Sequence, residues 1–175
     1  MSNDDSNFIK IGPAGSQSGF TWDEKGHNQI VQIFISHYGE EINTIQFQYV
    51  ENGHMLLSCK RGGDDGYNFS VVKLNYPSEH ITWISGSSFN NCICSITFGT
   101  NNGQYGPFGK SNANGKEFKF QVGDKQFGGF YGTTDHKVIK SIGVYLKPII
   151  PSSYNVQVLQ YGLPGRTIRP LASSR

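Results

Sequence analysis

The sequence predicts an all-β domain, and three observations carry that prediction. No segment shows an apolar period of 3.6 residues, whereas period-2 alternation and short apolar runs recur along the chain. Glycine accounts for 22 of 175 residues, about twice the ~7% of average usage, and aromatic residues for 13%, which argues against disorder. Turn signals separate the runs: Asn52-Gly53, Gly62-Gly63-Asp64-Asp65-Gly66, Asn101-Asn102-Gly103 and Asn114-Gly115. Asn and Gly both tolerate positive φ, so such pairs close tight turns between strands.

Taken in order, strands are expected near 7–12, 29–37, 43–50, 54–60, 69–75, 79–85, 92–98, 117–122, 126–131 and 138–147. Some alternate, as in Ile45, Phe47 and Tyr49 or Phe118 and Phe120. Others are short unbroken apolar runs, as in Met55-Leu56-Leu57. A weak internal repeat runs through them. Ile42, Ile45 and Phe47 share the spacing i, i+3, i+5 with Ile93, Ile96 and Phe98, and with Ile139, Ile142 and Val144. Three such units, spaced 51 and 46 residues apart, would give three small sheets, each too small to be stable alone but able to share one core.

At 175 residues the chain is one ordinary domain, with no need of disulfides or metals to bury a core. The domain is placed at 8–148, after a flexible 1–7. It is followed by a segment 149–175 that holds Pro151, Pro164 and Pro170, three arginines and no acid. Tyr154-Asn-Val-Gln-Val alternates at its start as a short edge strand would; from Leu163 it reads as a tail. No apolar run approaches the ~18–20 residues that span a bilayer, so membrane insertion is not expected. The opening MSNDDSN lacks a basic start and an apolar stretch, so no secretory signal is expected, and a cytoplasmic or nucleocytoplasmic location follows. The net charge of +2 comes without a basic stripe, which speaks against nucleic acid. Cys59, Cys92 and Cys94 are read as reduced thiols, and no second pair completes a zinc site.

Catalytic motifs fail on inspection. Gly103 to Ser111 ends in GKS, but the first glycine of a phosphate loop would fall on Gln104, and Pro107 removes an amide donor. Gly15-Ser-Gln-Ser-Gly19 has glutamine, not a nucleophile, at its centre. The five histidines show no metalloprotease spacing, so neither catalysis, metal nor cofactor is expected. The sequon Asn68-Phe69-Ser70 should be silent without secretion.

Several stretches in order point further. They are Ile11-Gly-Pro with Gly15 to Gly19 and Trp22-Asp23; Gln32-Ile-Phe-Ile; Ile45-Gln-Phe-Gln-Tyr; Leu74-Asn-Tyr-Pro-Ser-Glu-His-Ile with Ile84-Ser-Gly86; Tyr105-Gly-Pro-Phe-Gly109; and Gly129-Phe-Tyr-Gly132 leading to Ile142-Gly-Val-Tyr145. Together they resemble a jacalin-related lectin domain of plants over residues 8–148. The resemblance implies a β-prism of three four-stranded Greek-key sheets about a pseudo-threefold axis. It also implies metal-independent, non-catalytic binding of mannose- or glucose-type glycans, with a role in plant defence.

In that family the sugar lies between a glycine-rich loop after the first strand and a loop before the last. An aspartate accepts from two hydroxyls while backbone amides donate. Carried over, Gly19 would offer its amide, Gly132 matches the second loop's glycine, and His136, Lys137 and Val138 stand where amides are presented. The departure is Lys140, which replaces the expected aspartate and has three donors and no acceptor. Asp135, in a loop one residue longer than usual, could replace the lost carboxylate or simply cap a turn. Ser87, Ser88 and Phe89 are candidates for secondary contacts, and Trp22 and Trp83 for stacking or for the core. A second reading keeps the prism as a protein-interaction module that has lost sugar binding, like family members that restrict virus movement. Glycine-rich exposed strands also leave room for homo-oligomers through a sheet face.

Overall fold

The computed structural model describes residues 7–27, 29–121 and 126–147. The edges of the expected domain, 1–7 and 148 onward, fall almost wholly outside these, as does the expected strand at Tyr154. Thirteen strands follow one another among the described residues: β1 Ile9–Gly15, β2 Phe20–Lys25, β3 Ile30–Tyr38, β4 Glu41–Glu51, β5 His54–Leu57, β6 Arg61–Gly62, β7 Asn68–Lys73, β8 Ile81–Phe89, β9 Cys92–Thr100, β10 Gln104–Gly109, β11 Lys116–Gln121, β12 Gln126–Thr134 and β13 Ile139–Lys147.

They form three antiparallel sheets, ordered β1-β13-β12-β2, β5-β4-β3-β7 and β10-β9-β8-β11. Each has the Greek-key order 3-2-1-4. In the first sheet the chain termini fall between the second and third strands of the key, so this unit is a cyclic permutation of the other two. The prism expectation of four strands per sheet holds for two sheets. The second has five, because the short β6 pairs with β4.

The repeat seen in the sequence supplies the walls of the core. Ile42, Ile45 and Phe47 lie on β4, Ile93, Ile96 and Phe98 on β9, and Ile139, Ile142 and Val144 on β13, and all nine are buried. These are the second strands of the three keys. At the axis Phe130 stacks on Phe47 at 4.8 Å, meets Phe98 edge-on at 6.1 Å and touches Phe127 at 4.8 Å. Such ring pairs add to the burial of their large apolar area.

Backbone contacts repeat as well. Ser16 donates its amide to the Lys140 carbonyl, Lys110 to that of Cys94 and Gly63 to that of Asn43, at 3.0, 3.1 and 3.0 Å. The glycines just before these donors, Gly15, Gly109 and Gly62, all have positive φ. A Cβ on any of them would lie within about 2.2 Å of the same carbonyl oxygen. Lys140, Cys94 and Asn43 are therefore equivalent positions in the three units.

Three strands were not expected: β2, β6 and β10. In β2 the inward positions are Trp22 and Glu24. Buried Glu24 bonds Arg61 and His27, which ties the first sheet to the second. A charge at a core position hid the apolar alternation, as paired buried charges do. In β10, Gly106 and Pro107 sit at a bulge between Tyr105 and Phe108, where the ladder is interrupted.

Candidate carbohydrate-site loops

One end of the prism gathers the loop after β1, the β12–β13 loop and the β8–β9 turn. Gly19 has φ +97°, and a Cβ there would lie 2.5 Å from the Thr134 carbonyl oxygen and 3.3 Å from the Lys140 Cδ. Only glycine lets the backbone pass so close to the second loop. Between Gly15 and Gly19, serine hydroxyls knit the loop. Ser16 Oγ and Ser18 Oγ are 2.8 Å apart, and the Ser18 amide donates to Ser16 Oγ.

Asp135 organises the second loop. Its Oδ1 accepts from the amides of Lys137 and Val138 at 2.8 and 2.9 Å. Its Oδ2 lies 3.2 Å from Lys140 Nζ, which also reaches Ser18 Oγ at 3.5 Å. Thr134 Oγ1 closes the same turn on the Val138 carbonyl at 2.8 Å. Burial alone would raise the Asp135 pKa, but the two amides and the Lys140 ammonium outweigh it and hold the carboxyl below its usual range. The turn-cap reading of Asp135 therefore holds, and the ion pair with Lys140 is added to it. The amides of Lys137 and Val138, expected to face a ligand, are already taken by this carboxylate.

The other expected residues scatter. His136 is exposed, its ring 5.3 Å from that of Phe20. The Val138 side chain is buried in a small cluster with Cys92 and Cys94 that Phe89 covers. Gly132 lies inside β12 between Trp22 and Ile142, and a Cβ there would meet the Ser141 carbonyl oxygen at 2.1 Å, so it serves strand packing. Ser87 points inward, 1% exposed, with its hydroxyl 2.9 Å from that of Ser95, and cannot reach a ligand. Ser88 and Phe89 do line a cleft with Gly15 and Ser16. Trp22 is core, and Trp83 lies under Lys119 Nζ at 4.7 Å. The Ser16–Ser18 and Asp135–Lys140 pairings were missed, although Ser-x-Ser and the Asp135 to Lys140 spacing were both on view.

Among the described residues no group of three or more His, Cys, Asp or Glu could hold a metal ion. No helix among them is long and apolar enough to cross a membrane.

The model of the jacalin-like lectin domain matches residues 11–145. The protein RESTRICTED TEV MOVEMENT 1 of Arabidopsis thaliana is 43% identical over 152 residues, covering 80% of this chain and 87% of the relative. Jacalin-related lectin 2 of the same plant is 42% identical over 161 residues, covering 81% and 88%. Among solved structures, a mannose-binding jacalin-related lectin from Ananas comosus superposes with a TM-score of 0.71 at 30% identity, covering 82% of this chain and 99% of its own. A mannose-specific one from Morus nigra, in complex with mannose, gives 0.73 at 27% identity, covering 84% and 99%.

Proposed function

The chain belongs to the jacalin-like lectin family, and from that premise we propose that it is a non-catalytic recognition protein of plant defence that limits virus movement, its hexose pocket latched by its own Lys140 and Asp135. The observation that carries this reading is the double engagement of Asp135, with one oxygen on two loop amides and the other on Lys140.

The magnitudes support a shut pocket. Millimolar binding of a monosaccharide amounts to about 4 kcal/mol. Replacing a carboxylate that accepts from two hydroxyls by an ammonium removes two charge-assisted bonds, each worth about 1.5–3 kcal/mol. That loss is as large as the whole binding energy. The Asp135–Lys140 pair itself, still partly open to solvent, contributes little. The pocket is shut because its acceptor is gone and two of its donors, the Lys137 and Val138 amides, are used.

A second reading keeps mannose- or glucose-type binding at this pocket. It is favoured by Gly15 and Gly19, which preserve the close backbone approach that a sugar ring needs.

The test is a spread assay in leaves infected with tagged TEV. Leaves expressing the chain should show restricted movement. The Asp135→Asn/Lys140→Asp variant, which rebuilds the family's acceptor, should restrict equally if the pocket takes no part. Equal spread with and without the chain would overturn the defence reading. Restriction altered by the variant would favour the sugar reading.

A further inference from the structure

The second sheet leaves an apolar edge open. β5 is its outer strand, and β6 continues that edge along the same side of β4, since β3 holds the other side. Met55, Leu56 and Leu57 are 67, 39 and 57% exposed. Neighbouring side chains of a strand point to opposite faces, so both faces of β5 are bare. Its backbone has free groups as well. Ser58 donates its amide to the Phe47 carbonyl at 2.8 Å. Amides alternate in direction along an antiparallel strand. Those of Leu56 and His54 therefore also face β4, and those of Met55 and Leu57 point out to the edge.

The other outer strands carry the usual protection against pairing. β1 has Pro13 and a bulge, and β10 has Pro107 and a bulge. β11 has Lys116 and Lys119, and β2 and β7 end on Lys25 and Lys73. β5, His54-Met-Leu-Leu, has no proline, no lysine and no shift of register.

The sequence after Lys147 offers a cover. From Pro148 to Gly165 it holds no charged residue, and Tyr154, Val156 and Val158 alternate with Asn155 and Gln157. Lys147 delivers this segment to the end of the prism where β5 begins. It pairs with Gln126, and two residues along β12 the Gly128 carbonyl accepts from the Gly26 amide. Beside Gly26, the His27 ring stacks on that of Tyr49 at 3.8 Å, and Tyr49 pairs with Leu56 of β5. Two strand spacings, about 10 Å, lead from β13 across β12 to β2. Residues 148–153 extend to about 20 Å, enough to go on to β5.

We propose that residues 154–158 of this chain dock on β5 as an added edge strand of the second sheet. The segment arrives at the His54 end and so runs parallel to β5, with Tyr154, Val156 and Val158 beside Met55 and Leu57. Its docking keeps the open edge from pairing with a second chain. It is independent of the contact between Asp135 and Lys140.

The test is amide hydrogen exchange, read by NMR, on the full chain and on its Asn155→Pro/Val156→Pro variant. The two prolines remove the ladder donor whichever of these residues faces β5. In the wild type the Met55 and Leu57 amides should be protected. In the variant they should exchange at least about tenfold faster, while the Ile45 and Ile96 amides keep their rates and show that the fold is intact. A nitroxide on Cys59, the exposed thiol two residues beyond β5, should broaden the amides of 154–158. Mixing nitroxide-bearing unlabelled chains with nitroxide-free labelled ones should give no such broadening. Equal exchange of Met55 and Leu57 in the two proteins would overturn the proposal. So would broadening in the mixture, which would assign the edge to a second copy.

Discussion

Lys140 Nζ lies 3.2 Å from Asp135 Oδ2, on a carboxylate whose other oxygen holds the amides of Lys137 and Val138. Four residues, Asp135, Lys137, Val138 and Lys140, thus satisfy one another in and beside the β12–β13 loop. The chain supplies its own acceptor to its own donors.

Gly19 brings the loop after β1 close to the β12–β13 loop. Gly19→Ala would set a Cβ 2.5 Å from the Thr134 carbonyl oxygen at φ +97°. We expect a loss of about 1–3 kcal/mol. For a domain of this size that lowers Tm by roughly 2–4 °C per kcal/mol, read by thermal unfolding. An unchanged Tm would show that the two loops are not held together here.

At the other extreme, Phe130 is fully buried where the three sheets meet. Phe130→Ala should cost about 3–5 kcal/mol, the transfer and cavity terms together. Denaturant unfolding should show the midpoint falling with the slope unchanged.

Glu79 gives the fold an acid limit. Its carboxylate accepts from the Asn75 amide, the Thr100 hydroxyl and the Tyr105 hydroxyl. The Asn75 amide foremost, with the two hydroxyls, lowers its pKa against the opposing effect of burial. A lowered folded pKa contributes stability that is present above the unfolded pKa and lost as pH falls through the folded one. Stability of the wild type should therefore drop below about pH 4, the ordinary carboxylate range. Glu79→Gln should be less stable near neutrality and flatter across that range.

The three thiols should separate by reactivity. Cys59 is exposed, whereas burial raises the pKa of both Cys92, to about 12, and Cys94. The thiolate is the reactive form. A thiol reagent at pH 8 should modify one cysteine quickly in the native chain and all three after unfolding.

The core and the loops differed in how much they disclosed. The i, i+3, i+5 repeat named nine of the residues of β4, β9 and β13 that wall the core, because buried strands must carry apolar side chains. β2 stayed hidden because Glu24 occupies a core position, and its partner Arg61 is 37 residues away. β10 stayed hidden because its glycine and proline read as a loop until the bulge explains them. At the site, Lys140 was legible as a departure, and Asp135 as a substitute carboxylate or a turn cap. Their pairing was not, since it depends on how a loop one residue longer than usual folds back. Ser87 failed as a candidate for a simpler reason: one residue along a strand reverses the face.

The most direct measurement is a calorimetric titration with methyl mannoside of the wild type beside Asp135→Asn/Lys140→Asp. Asparagine keeps the turn cap, and the new aspartate meets no second carboxylate. The account predicts no detectable heat from the wild type and millimolar binding by the variant. Millimolar binding by the wild type that the variant does not improve would contradict it.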